Sequence, residues 1–137
     1  MIRTKKSRYA RTGAAAVEFA LIAPLFILMF LGIIEFGRAM MVQQVIIQAS
    51  REGAREAALP GATLESVKDV VQRFADDSGV TIKRDDIVAT PSPSVATDNE
   101  QINVSVEVAV SDVSWVPSSF VPVKLKGSTT MRSEKLD

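Results

Sequence analysis

The sequence contains no cysteine and no histidine. The first absence excludes disulfide staples and thiolate metal sites. The second excludes imidazole ligands and the general base of a Ser-His-Asp triad, so the plentiful serines and aspartates build no such triad. No glycine-rich phosphate loop is present. Asp76-Asp77 and Asp85-Asp86 invite a hard-cation reading, but neither has the alternating oxygen ligands and closing Glu of a calcium loop. A solvated surface is the simpler account of both pairs. No catalytic residue, metal ligand or cofactor is expected, and an enzyme is the least supported class.

Acidic residues are missing from the start of the chain. Arg3, Lys5, Lys6, Arg8 and Arg11 all precede Gly13, and no Asp or Glu does. The whole chain is formally neutral, with 16 basic and 16 acidic residues in 137. Its body beyond Gly13 is therefore mildly acidic. A nucleic-acid-binding protein would cluster its basic residues on the folded part, so nucleic acid is not an expected partner.

Charge is missing again between Glu18 and Glu35. Phe19-Ala-Leu-Ile-Ala-Pro-Leu-Phe-Ile-Leu-Met-Phe-Leu-Gly-Ile-Ile34 carries none. A bilayer core of about 30 Å needs roughly 20 helical residues, and the apolar run extended back to Ala14 is long enough. A buried core helix is a poor alternative, because the remaining chain is too small to wrap a helix that is apolar all round. A cleaved secretory signal would have a shorter apolar core and a small-residue cut site. This run ends instead in Ile34-Glu35-Phe36-Gly37-Arg38. A retained anchor fits best. Five basic residues precede it and Arg38 alone follows closely, so the N-terminus is expected in the cytoplasm and the body outside.

Glu18 is the exception inside the anchor. A carboxylate in a membrane helix is costly and usually functional. At the interface it would merely snorkel. Alternatively, a cut after Gly13 would free a cationic α-amine on Ala14, and the two charges would attract strongly in a low dielectric. Such a pair, formed between neighbouring subunits, would set an axial register.

Gly13-Ala-Ala-Ala-Val-Glu18-Phe19 resembles the prepilin signature: a Gly, four small or apolar residues, Glu and an aromatic. More specifically, Gly13 to Arg38 is similar to the TadE-like pseudopilins of the tight-adherence (Flp-type) pilus system. Ala49 to Leu59 resembles the family's continuation, and Ser128 to Glu134 does so more weakly. The resemblance implies a minor, pilin-like component of pilus assembly in the bacterial inner membrane. It implies cleavage between Gly13 and Ala14 by a prepilin peptidase, with Glu18 and Phe19 completing the recognition motif. Its implied partners are that peptidase, other pilins and pseudopilins, the inner-membrane assembly machinery and the lipid bilayer. The alternative is an uncleaved single-pass anchor carrying a binding module. The residue type agrees with a cut there: Gly13 has no side chain, so a protease can approach its backbone closely.

Beyond the membrane the helix is expected to continue to Leu59. Val42, Val45, Ile46, Ala49, Gly53, Glu56 and Ala57 mark one face. Glu52 comes within reach of Arg55 on the surface. Gly53 costs up to ~1 kcal/mol there unless close packing requires it. Leu59-Pro60-Gly61 ends the helix. Thr63 caps a second, amphipathic helix with Leu64, Val67, Val70, Val71 and Phe74 on its apolar face and Gly79 as its stop. It is expected to pack on a sheet.

After Gly79 the period becomes two. Val80 and Ile82 suggest a short strand, and Ile87-Val88-Ala89 another. Thr90 to Glu100 reads as loop. Ile102, Val104, Val106, Val108 and Val110 form the clearest strand. Pro117 and Pro122 break the pattern around Trp115, and Val123, Leu125, Gly127, Thr129 and Met131 alternate again. The expected architecture is α+β and pilin-like: a basic leader over residues 1–13, a transmembrane helix over 14–38 and an extracytoplasmic domain over 39–137.

Overall fold

The computed structural model describes residues 9–110 and 124–134, with side chains from residue 13 onward. The fold is α+β, with a long apolar N-terminal helix, a second helix and a three-stranded antiparallel sheet. It divides into two compact units, Met1–Phe36 and Gly37–Asp137.

Helix α1 spans Tyr9–Ala58 and runs through Pro24. It begins ahead of Gly13, not at Ala14 as the end of the leader suggests. Ala10, Arg11 and Ala14 to Ala16 are strong helix formers and outweigh a single glycine. Among the described residues of the first unit this helix buries no side chain. Phe19, Leu21, Leu25, Leu28 and Phe36 are all more than half exposed.

In the second unit, α1 buries Val42, Ile46, Ala49, Ser50, Gly53, Ala54, Ala57 and Ala58. This is the face the spacing marks, with Ser50, Ala54 and Ala58 added along its edge. Glu56 is half-buried, and Glu52 makes no ion pair with Arg55. The helix ends in a tight turn, Leu59 to Ala62, in which the Ala62 amide donates to the Leu59 carbonyl at 3.2 Å. Pro60 presets its backbone for this turn, and Gly61 takes the positive φ of 79° that it needs. The Glu134 amide donates to the carbonyl of Ala58 at 2.9 Å, satisfying one of the open acceptors at the helix end.

Helix α2 spans Leu64–Asp77. Thr63 caps it reciprocally: its hydroxyl accepts from the Ser66 amide, and the Ser66 hydroxyl accepts from the Thr63 amide. At the other end the Gly79 amide donates to Asp76 and the Val80 amide to Ala75, a Schellman motif with Gly79 at φ 75°. Val67, Val71 and Ala75 are buried.

Strands β1 (Ile87–Thr90), β2 (Gln101–Ala109) and β3 (Lys124–Arg132) form the sheet in that order, both pairs antiparallel. Ile102, Val104, Val106 and Val108 of β2 face the helices and are buried. Across from them in β3 stand Met131, Thr129, Gly127 and Leu125. The other face carries Asn103, Ser105 and Glu107 opposite Thr130, Ser128 and Lys126, a polar surface without a covering layer among the described residues.

Val80 and Ile82 are not a strand, although both are buried. Their backbone is used elsewhere: the Val80 amide closes the α2 cap, and the Ile82 carbonyl accepts from Gln72 Nε2 at 2.9 Å. Their alternation reflects an extended segment crossing the core edge. The segment with Trp115, Pro117, Pro122 and Val123 lies outside the described residues.

Two glycines set the layer spacing. A Cβ on Gly53 would meet Val71 Cγ2 at 2.5 Å and Val104 Cγ1 at 3.2 Å. One on Gly127 would meet the Ile46 side chain at 2.8 Å and its carbonyl oxygen at 2.9 Å. Close packing is thus what Gly53 provides, and Gly127 does the same for β3. Three contacts then tie α1 to β3 along their lengths. Gln43 Nε2 donates to the Lys126 carbonyl at 2.9 Å, Ile46 abuts Gly127, and the Ser50 and Thr129 hydroxyls bond at 2.9 Å. From Gln43 to Ser50 the helix rises about 10.5 Å. From Lys126 to Thr129 the strand advances about 10 Å. The two therefore run side by side in matched register.

Candidate processing segment

Gly13, Ala14, Glu18 and Phe19 all lie on α1. Every side chain from Ala14 to Phe19 is exposed, Phe19 at 72%. A Cβ on Gly13 would meet nothing within 4 Å, so no packing among the described residues demands a glycine there.

Ala14 and Glu18 are four residues apart on a helix and so share a face, with about 5–6 Å between their Cβ atoms. Phe19 is turned about 100° from Glu18. A cut after Gly13 would leave Glu18 in the second turn of a new helix N-terminus, where the helix dipole favours an anion. Glu18 makes no ion pair with any described residue. The helix therefore presents a carboxylate and an aromatic ring outward, about one turn from Ala14, with no partner for either among the described residues.

Among its described residues, the second unit holds no comparable constellation. Asp76, Asp77 and Asp85 are exposed, and Asp86 is half-buried. No group of three or more acidic side chains close enough to hold a metal occurs among the described residues. Arg84 binds Glu65 at 3.5 Å and Asp69 more closely, pinning the 3-10 turn Arg84–Asp86 to α2. On the open sheet face, Lys126 lies 3.1 Å and Lys124 3.7 Å from the Glu107 carboxylate. The hydrogen bond and charge of Lys126, aided by Lys124, hold that carboxyl below the usual glutamate range.

The spacing of Gly13, Ala14, Glu18 and Phe19 is a linear signal, and the structure adds exposure and a shared helical face. Nothing in the local pattern signals the Gly127 contact with Ile46, because a glycine on the inward face of a strand looks like any other weak strand position.

Neither a curated protein nor a solved structure matches the chain. The segment with the exposed motif does match: over residues 13–55, the chain fits the family model of the TadE-like proteins.

Proposed function

We propose that the chain is a membrane-anchored pseudopilin of a tight-adherence pilus system. It is inserted in the bacterial inner membrane with its N-terminus in the cytoplasm and Gly37–Asp137 outside. A prepilin peptidase cuts it between Gly13 and Ala14, and it joins other pilins and pseudopilins at the assembly machinery. Its role is structural rather than catalytic.

One observation carries this reading. The TadE-like match covers the segment in which Gly13, Ala14, Glu18 and Phe19 stand exposed at the head of an apolar helix long enough to cross a membrane. An apolar helix of this length with none of its apolar window buried needs a non-aqueous surrounding. Glu18, without an ion pair among the described residues, acquires a partner once the Ala14 amine is freed, either its own or a neighbour's.

N-terminal sequencing of the mature protein from its native host tests the cut. A mature chain starting at Ala14 supports the reading, and an intact leader favours the anchored binding module. Gly13→Val should block processing. Glu18→Ala should leave insertion intact and impair assembly, and normal pili with Glu18→Ala would remove the charge-pairing argument.

A further inference from the structure

We infer that the free edge of β3 is a docking site for an extended segment of another polypeptide. The segment adds to the sheet as an antiparallel strand, with carboxylates opposite Lys126 and Arg132 and an aliphatic residue opposite Met131. All the residues involved belong to the second unit, so the docking is independent of the anchor and of any cut at Gly13.

Backbone accounting locates the site. In an antiparallel pair, successive residues turn their N–H and C=O alternately toward the partner strand and away from it. The Ser133 amide donates across the sheet to the Glu100 carbonyl at 2.8 Å, so Leu125, Gly127, Thr129 and Met131 face β2 as well. Lys126, Ser128, Thr130 and Arg132 then face the open side. Two ties to α1 agree with that direction: Gln43 reaches the Lys126 carbonyl, and the Glu134 amide turns to Ala58. Between those ties, the amides and carbonyls of Ser128, Thr130 and Arg132 have no partner among the described residues, and all three residues are exposed. Natural proteins blunt their edge strands with charge, proline, bulges or brevity. The other edge, β1, is four residues long and stops at Pro91. Strand β3 is nine residues long, and Gly127 to Met131 carry neither charge nor proline.

Charge selects the occupant. Strand addition draws affinity from main-chain bonds and specificity from alternate side chains. Lys126, Ser128, Thr130 and Arg132 project on one face, with cations at the ends and hydroxyls between. Lys126 shares Glu107 with Lys124, so that end keeps an excess of one cation. At the Arg132 end lies an open cavity of about 420 Å³, lined by Arg55, Ala58, Leu59, Met131, Arg132 and Glu134. Neither arginine has an ion pair among the described residues, and Glu134 offsets only one of them. A carboxylate at each end of the added strand matches this pattern. Leu59 is 45% and Met131 40% exposed, so an aliphatic side chain entering the cavity buries apolar surface. A second copy of β3 does not fit. Antiparallel pairing with full overlap of Lys126 to Arg132 sets the Lys126 of each copy opposite the Arg132 of the other, and like charges directly opposite are destabilising.

Hydrogen exchange of the full chain in detergent micelles, read amide by amide by NMR, tests the docking. The probes are the end-blocked peptide Glu-Val-Ser-Thr-Ser-Thr-Glu and a counterpart with Lys at both ends. At about nine-tenths occupancy the acidic peptide should slow the Ser128, Thr130 and Arg132 amides about tenfold, because only the free fraction exchanges. Gly127, Thr129 and Met131, which face β2, should be unchanged. The lysine peptide should bind roughly tenfold more weakly, since both end pairs switch from attraction to repulsion. Thr130→Pro removes an outward amide and no bond to β2, and should weaken the acidic peptide. Arg132→Glu should narrow or reverse the preference between the peptides, and an unchanged preference overturns the pairing at that end. Binding that leaves the three amides fast overturns the edge as the site, and no binding overturns the docking. Equal affinity for the two peptides overturns the choice of carboxylates. Amides already slow in the free chain overturn the open edge. Slowing that grows with protein concentration alone assigns the edge to a second copy and overturns the acidic partner.

Discussion

Replacing Gly127 by alanine places a methyl group 2.8 Å from Ile46 Cγ2 and 2.9 Å from both the carbonyl carbon and the carbonyl oxygen of Ile46. Relief of the side-chain contact alone is insufficient, because the two other atoms are helix backbone. Helix α1 and strand β3 must separate by roughly half an ångström, against a core packed at crystal-like density. Overpacking of this kind costs about 1–3 kcal/mol. Alanine returns about 0.5–1 kcal/mol of the conformational entropy that glycine loses on folding. The net expectation is a loss of about 1–2 kcal/mol. For a unit of this size each kcal/mol lowers the melting temperature by about 4–8 °C. Gly53→Ala should cost less. Its methyl meets side-chain atoms of Val71 and Val104, which shift more readily than backbone, and helix propensity returns about 1 kcal/mol. Gly37→Ala, with nothing within 4 Å, should be neutral or stabilising. Thermal unfolding of the full chain in mild detergent, followed by circular dichroism, ranks the three. The reasoning fails if Gly127→Ala melts at or above the parent temperature, or if Gly53→Ala proves the more damaging.

Ser50→Ala should cost about 1 kcal/mol by removing the bond to Thr129 across the helix–strand contact, and Ser50→Ala with Thr129→Val should cost less than the sum of the singles, as urea titration would show. Thr63→Ala should cost about 1 kcal/mol through loss of the α2 cap and speed amide exchange in the first turn of that helix. The Glu107 carboxyl should titrate below an ordinary glutamate by NMR, and Lys126→Met should move it upward. Because the folded value is depressed, the stability that Glu107 contributes is present above its unfolded value. That contribution fades as pH falls through the folded value, so an unchanged Glu107 titration in Lys126→Met refutes the pairing.

Elements governed by local chemistry were legible in the sequence. The two ends of α2 followed from Thr63 and Gly79, and the alternation of Ile102 to Val108 identified β2 and its buried face. The reading failed where a tertiary partner decided the outcome. Val80 and Ile82 alternate like a strand, yet Gln72 and the α2 cap take their hydrogen-bonding groups. Ser50 looks like a surface residue by type and is buried because Thr129 meets it from a strand far along the chain. The proposed processing motif differs in kind: Gly13, Ala14, Glu18 and Phe19 form a linear string, so no fold is needed to assemble it.

Helix α1 carries the apolar run and also supplies one wall of the second unit's core. The ties at Gln43–Lys126, Ile46–Gly127 and Ser50–Thr129 lie along one line in matched register, so a force along the helix axis loads them in parallel, as shear, rather than peeling them apart one by one. The closeness that Gly127 permits is thus a mechanical clutch. It should let the chain bear a tensile load that the same three contacts, broken in sequence, would not hold.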